Sequence, residues 1–351
     1  MATDPQTDHL PLAGRPLVGP LGHPRVETIG MLGARSVCIL LLIAAPFLLN
    51  DFSLLLLTEI LIFGLFGASL DLLIGFTGLP SLGHAAYYGF GAYVAALFAM
   101  HVMDNVVLAL LIGTAAGAIS AALTGWVTVR TRGVYFLMIT VAITEIVYSL
   151  AVTWTDVTGG SNGLTVSTPM LVKGLALDSR QSVYWYVLIV VIAGYAFVRA
   201  IGRSPLGRTL NGIRENEPRM RAIGYSTARY KFAIYCVAGA VAGAAGALGV
   251  VNTGFVSPSD ASFTTAALAF IAVIVGGSGT LYGAFLGAIV VILVRDEFST
   301  LLPGRSTLVL GVIFIVAIYL FPKGIAGGLH QLRQLLQRLV RHRRAGVSDN
   351  D

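Results

Sequence analysis

The segment RAIGRSPLGRTLNGIRENEPRMRAIGYSTARYK, residues 199–231, is the longest polar interruption in an otherwise apolar chain. It contains eight of the 23 basic residues but only two acids, Glu215 and Glu217. Because a long apolar run lies on each side, the segment is predicted to be an aqueous loop between two membrane spans. Its apolar residues recur at roughly helical spacing, with Pro218 predicted to divide the helix and Gly224 to end it. We expect short amphipathic helices that fit a groove on another protein.

Composition predicts the fold class. Hydrophobic residues make up 56% of the 351 residues, charged residues only 11%, and the mean hydropathy is +0.81. So little charge is incompatible with a soluble surface, so we predict an all-α polytopic transmembrane helical bundle. About eight to ten spans are expected, some of them broken or half-helices, because several runs fall short of the ~20 residues that a full span needs. The two cysteines, Cys38 and Cys236, are predicted to behave as small buried hydrophobes.

The distribution of basic residues predicts the topology. Three lie in a polar tail of residues 1–35, two at Arg130 and Arg132, eight in the central segment and six in a basic tail of residues 323–351. With both termini inside, all of these face the cytoplasm and only four basic residues lie outside. Residues 36–322 are then the transmembrane domain, and its loop of residues 202–231 is cytoplasmic. The net charge of +6 therefore reflects membrane topology and not nucleic-acid binding.

The stretch GLPSLGHAAYYGFGAY, residues 78–93, is the clearest candidate for a translocation pathway. A proline and four glycines interrupt the apolar pattern, and Ser81, Gly83, His84 and Tyr87 lie at membrane depth. Irregular backbone within a membrane requires protein or a water-filled path to satisfy it. A broken helix here would direct free N–H groups at a solute, as in transporters. The alternative is simple packing, with His84 as an interhelical hydrogen-bonding residue.

Other motifs are interpreted structurally. Three small-residue patterns predict close helix packing: Gly113/Gly117, Gly239/Gly243 and Gly283/Gly287. The acids within predicted spans are Glu59, Asp71 and Glu145; they are too dispersed for a proton relay, and Asp71 is expected to pair with Arg130 or Arg132.

No motif predicts catalysis. Residues 202–209, GRSPLGRT, resemble a phosphate-binding loop, but arginine replaces the lysine and no strand precedes it. No nucleophile elbow, metalloprotease motif or paired Cys/His arrangement is present, so no metal site and no hydrolytic chemistry are expected.

Several motifs together resemble the family of branched-chain amino acid ABC permeases, in particular its M-type (LivM-like) subunits. They occur in order between about residues 53 and 328: GLPSLGHAAYYGFGAYVAAL (78–97), GVYFLMIT (133–140), TDVTGGSNGL (155–164), SPLGRTLNGIRENEPRMRAIGYSTARYK (204–231), GGSGTLYGAFLGA (276–288) and FPKGIAGG (321–328).

The resemblance implies a permease subunit, without enzymatic activity, of an importer in the bacterial inner membrane. Its implied partners are a homologous permease, two cytoplasmic ATPases that use ATP and Mg²⁺, and an extracytoplasmic solute-binding protein; no cofactor is bound by this chain. The residues that match the ATPase-coupling segment are Arg214, Glu215, Asn216, Arg219, Ala222, Gly224 and Tyr225, and those that match the translocation motif are Ser81, Gly83 and His84. From their spacing, Leu210, Ile213 and Met220 are expected to form an exposed apolar patch that the ATPase covers.

Two alternatives differ in substrate or mechanism. The same family includes permeases for urea, amides and other small carboxylates, so the solute stays open. An ion-coupled secondary transporter would need acids clustered at mid-membrane, and a membrane enzyme using His84 would need a second catalytic group nearby.

Overall fold

A computed structural model describes residues 40–166, 171–172, 175–177, 179–301, 311–312, 315 and 324–326. Outside these residues lie the predicted tail of residues 1–35, most of the last predicted span at 306–321 and all but three residues of the basic tail at 323–351.

Helices account for most of the described chain, which confirms the all-α prediction. They are α1 (residues 40–48), α2 (Asp51–Thr77), α3 (His84–His101), α4 (Val106–Thr128), α5 (Val134–Thr153), α6 (Thr155–Thr158), α7 (Arg180–Arg203), α8 (Pro205–Glu215), α9 (Glu217–Ala222), α10 (Thr227–Thr253), α11 (Phe263–Gly276) and α12 (Tyr282–Leu301). Short 3-10 turns occupy Gly160–Asn162 and Pro258–Ala261. The strands are β1 (Leu164–Thr165), β2 (Leu171–Val172), β3 (Leu175–Ala176) and β4 (Phe255–Val256), paired antiparallel as β1 with β4 and β2 with β3.

Five of the described helices, α2, α4, α5, α7 and α10, are long and apolar enough to cross a membrane. The apolar helix α11 is shorter, with 14 residues, as expected for a bundle that contains incomplete spans. The total number of spans stays a prediction.

Small residues set the spacing of the central helices, as the sequence patterns predicted. A Cβ added at Gly117 of α4 would lie 2.8 Å from the Cα of Gly243 in α10, and one at Gly91 of α3 would lie 2.5 Å from the same atom. Such contacts allow backbones to approach directly. α3 and α4 therefore both pack closely against α10.

The two ends of α10 carry different loops. Near its start Lys231 pairs with Glu217, and Glu217 also pairs with Arg132. At its other end β4 follows, and Val256 pairs with Leu164 of β1. A 27-residue helix is about 40 Å long. The basic turn at residues 130–132 and the central loop thus share one end of the bundle, which agrees with their predicted location on one membrane side.

Candidate functional site

A non-helical break of six residues, Gly78 to Gly83, separates α2 from α3. α2 ends at Thr77 and is followed by Gly78, whose φ of 68° is the left-handed conformation that glycine adopts without strain. α3 begins at His84. Tyr88, in the second turn of α3, packs with its backbone against Gly246, the twentieth of the 27 residues of α10. α3 therefore starts well inside the bundle and runs back along α2, with His84 beside Ser69 and Tyr88 beside Phe66. The six residues join two antiparallel helices, and their part in translocation stays a prediction.

Two threonines of α5 form hydrogen bonds with the backbone of the break. The N–H of Leu82 donates to Thr140 Oγ1 at 3.2 Å, and Thr144 Oγ1 donates to the Leu82 carbonyl at 2.8 Å. A Cβ at Gly83 would meet the Thr140 carbonyl oxygen at 3.0 Å, so only glycine allows this approach without displacement. Backbone groups buried in an apolar bundle need such partners, since each unsatisfied group is costly.

The four predicted pathway residues lie together, all of them buried. His84 Nε2 is 3.1 Å from Ser69 Oγ of α2, and Tyr87 Oη is 2.6 Å from both Tyr235 Oη and Thr124 Oγ1. Ser81 Oγ accepts from the Gly83 N–H at 3.2 Å. These contacts join α2, α3, α4 and α10 through one polar cluster inside a single chain. Their part in translocation stays a prediction.

The central loop forms two helices, as predicted, but α8 and α9 are separated at Asn216, two residues before Pro218. The Asn216 side chain caps α9 by accepting from the Arg219 N–H at 3.0 Å, and Pro218 occupies the first turn, where its missing N–H costs nothing. Gly224 follows the end of α9 with a φ of 94°, so its predicted role as a helix stop is confirmed. The phosphate-loop-like residues 202–209 are the junction of α7 and α8, where Ser204 caps α8.

The expected exposed patch on α8 is wrong. Leu210 and Ile213 are 1% and 3% exposed, because α8 lies against α2, α7 and α10 of the same chain. The amphipathic spacing was correctly recognised, but the surface that it fits belongs to this chain's own bundle. The exposed large apolar side chains of the loop are Ile223 and Tyr225, which follow α9.

Arg214 connects α8 to the end of α2. Its guanidinium Nη1 donates to the Gly75 carbonyl, one of the last carbonyls of α2, and its aliphatic stem covers Gly78, where the break begins. The final carbonyls of a helix lack intrahelical partners, and a cation there is favourable. The predicted coupling loop thus contacts the start of the predicted pathway stretch.

Asp71 holds the same end of α2 to the turn between α11 and α12. Its carboxylate accepts from the N–H groups of Gly279 at 2.6 Å and Leu281 at 3.0 Å. The expected pairing of Asp71 with Arg130 or Arg132 is wrong: Arg132 pairs with Glu217, and Arg130 lies 4.6 Å above the Trp126 ring. The sequence gives no signal that a carboxylate will accept hydrogen bonds from backbone N–H groups more than 200 residues away.

Glu217 is the electrostatic centre of the loop. It binds Lys231 and Arg221 at 2.8 Å and Arg132 at 3.3 Å, and Thr227 donates to it at 3.0 Å. Burial raises the pKa of this carboxyl, but the hydrogen bond and charge of Lys231, with Thr227 and Arg132, outweigh burial and lower the pKa below its usual 4.5. The network is therefore complete at neutral pH and weakens as pH falls through this lowered pKa. Sequence reasoning noted the acid but not its role.

Comparison with known proteins decides the family. The family described as branched-chain amino acid transport system permease components matches residues 53–318. The chain belongs to this family. It is a multi-pass membrane protein and a permease subunit of an ABC importer, as the resemblance of its motifs implied.

Named relatives agree with this assignment. The permease is 29% identical over 313 residues to the high-affinity branched-chain amino acid transport permease LivM of Salmonella typhimurium, covering 81% of this chain and 72% of the relative. LivM of Escherichia coli is also 29% identical, with 82% and 73% covered. The probable LivM of Methanocaldococcus jannaschii is 23% identical, with 75% and 90% covered. No solved structure matches the chain.

Replacing Thr140 tests whether its hydrogen bond to Leu82, in the break between α2 and α3, is needed for transport. Thr140→Val keeps the side-chain shape but leaves the partly buried Leu82 N–H without its acceptor, which costs about 1 kcal/mol. We expect a lower melting temperature of the purified permease and reduced uptake. Thr140→Ser, which retains the hydroxyl, should behave nearly as wild type. Equal uptake by the Val and Ser variants would show that the hydrogen bond is dispensable.

Proposed function

We propose that this permease moves branched-chain amino acids inward across the bacterial inner membrane. ATP would be hydrolysed on two separate cytoplasmic ATPase subunits, a homologous permease would complete the membrane part, and an extracytoplasmic protein would deliver the solute. The single observation that carries the proposal is the family match over residues 53–318, joined by three relatives whose names state the same transport.

The helix pair α8–α9 is the proposed contact for the ATPase. Its outer surface carries the exposed residues Glu215 and Arg219, and the exposed apolar side chains Ile223 and Tyr225 follow. Asn216 and Gly224 shape the loop through a helix cap and a left-handed turn. Ile213 now has a different proposed role: it anchors α8 to the bundle so that movement of the helix pair reaches the membrane.

Arg214 is the proposed transmitter. A displacement of α8 by the ATPase would act through its guanidinium on the Gly75 carbonyl and through its stem on Gly78. Both residues lie at the boundary between α2 and the break. Since Asp71 ties the same helix end to the α11–α12 turn, the displacement would extend to those helices as well.

The acids of α2 have fixed partners, which argues against an ion-coupled mechanism. Glu59 pairs with Arg295, whereas Asp71 binds backbone N–H groups near the other end of α2. Among the described residues, no group of three or more His, Cys, Asp or Glu is placed to hold a metal ion.

Reconstituted uptake tests the function directly. The permease, its partner permease, the two ATPases and the binding protein would be placed in vesicles and supplied with ATP and labelled solutes. We expect ATP-dependent accumulation of leucine, isoleucine and valine, with urea, acetamide and acetate at least tenfold slower. Preference for one of the latter would contradict the proposed substrate, and uptake without ATP in an ion gradient would contradict the class.

The docking contact can be tested at Ile223, which is 63% exposed. Ile223→Asp should leave the bundle intact, because the side chain packs on little of it, but should place a charge in the interface. Loss of one interface anchor costs ~2 kcal/mol, or roughly 30-fold in affinity. We expect the ATPases to be lost on co-purification, with Ile223→Leu as the control. Retention of both ATPases at wild-type stoichiometry would remove Ile223 from the interface. Ile213→Asp would not report on docking, since it would detach α8 from its own bundle.

A further inference from the structure

A cavity of about 120 Å³ lies at the end of the bundle opposite the coupling helices. Helices α2, α3, α10, α11 and α12 all contribute to its lining, as do Phe255 of β4 and Asp260 of the 3-10 turn that follows. None of the predicted pathway residues lines it. Its wall combines charged and apolar side chains, which is unusual inside a membrane bundle and typical of a ligand site.

Three charged residues face this cavity. Arg295 Nη2 and Glu59 Oε1 are in direct contact, and their side chains keep 44% and 36% of their exposure. Asp260 is fixed differently: its Oδ2 accepts from the Ser257 N–H at 2.8 Å, which orients the carboxylate from the loop. Two carboxylates and one guanidinium therefore surround one space.

Stability alone does not account for this arrangement. Charges within a transmembrane segment are costly and are found mainly along solute paths. An ion pair that remains this exposed contributes little to folding. If the pair served only packing, apolar side chains at both positions would serve better.

Glycines and apolar side chains form the rest of the cavity. Tyr88 reaches towards α10, where a Cβ at Gly249 would lie 2.5 Å from its hydroxyl oxygen; the space exists because α10 has no side chain there. The apolar lining comes from Ile62, Phe63, Ala92, Val250 and Leu268. An aliphatic group would pack against this lining, whereas a purely polar solute would leave the apolar side chains in contact with water.

We propose that this cavity binds an α-amino acid zwitterion with an aliphatic side chain. The Arg295 guanidinium binds the carboxylate, a geometry that arginine favours. Glu59 and Asp260 bind the ammonium group, and the apolar lining receives the side chain. The inference rests on the proposed function, because it gives the transported solute a site within this chain.

Direct binding of tritiated L-leucine tests the site, using the permease–ATPase complex in lipid nanodiscs without the solute-binding protein. We expect saturable binding to wild type. Glu59→Gln, Arg295→Gln and Asp260→Asn should each weaken it tenfold or more, while Asp156→Asn, an exposed acid outside the cavity lining, should not. Competition by 4-methylpentanoate, which lacks the ammonium, and by 3-methylbutylamine, which lacks the carboxylate, should be at least tenfold weaker than by leucine.

Different failures have different meanings. Wild-type affinity in all three variants, or equal competition by the amine and leucine, would overturn the site. If single variants fail to assemble, the charge swap Glu59→Arg with Arg295→Glu decides: recovery of assembly without leucine binding supports the site, and recovery of both overturns it. Leucine uptake by the full importer without leucine binding to this complex would reject the cavity and leave the proposed function standing. Absence of leucine uptake would reject the function itself.

Discussion

The last two turns of α2 form the junction on which the coupling proposed for this permease depends. The Gly75 carbonyl accepts from Arg214 of α8, and the Asp71 carboxylate accepts from the N–H groups of the α11–α12 turn. A helix end leaves backbone groups unsatisfied, and here side chains from distant segments satisfy them. The break at Gly78–Gly83 begins three residues after Gly75. A displacement of this end of α2 therefore also moves the backbone that enters the membrane core.

The two proposed functions of the permease thus lie at different ends of the bundle. The end formed by α8 and α9 carries the Glu217 network, the capped helix pair and the Arg214 contact, through which we propose that the ATPases act. The opposite end carries the cavity with Glu59, Asp260 and Arg295. The polar cluster around His84 and Tyr87 lies between them, pinned by Thr140 and Thr144 of α5. Such an arrangement suits a subunit that receives energy at one end and encounters its solute at the other.

The sequence predicted features with a local cause. Helix bounds follow apolar runs, Gly224 ends a helix because only a left-handed residue fits there, and the glycine pairs pack as expected. Contacts between distant segments were not predictable: the Asp71 partner was wrong, and the patch at Leu210 and Ile213 was assigned to another protein. An amphipathic pattern predicts that the apolar face of a helix is covered, but it does not identify the surface that covers it. The cavity has no sequence motif because its residues come from five helices and the loop after α10.

Transmission through the end of α2 is tested most directly by the ratio of leucine transported to ATP hydrolysed, measured in the reconstituted importer with Arg214→Gln. We expect both ATPases to stay bound and to hydrolyse ATP while this ratio falls severalfold, because the link to Gly75 is lost. Arg208→Gln, an exposed arginine on the same helix, should keep the wild-type ratio. A wild-type ratio in Arg214→Gln would contradict transmission through the end of α2.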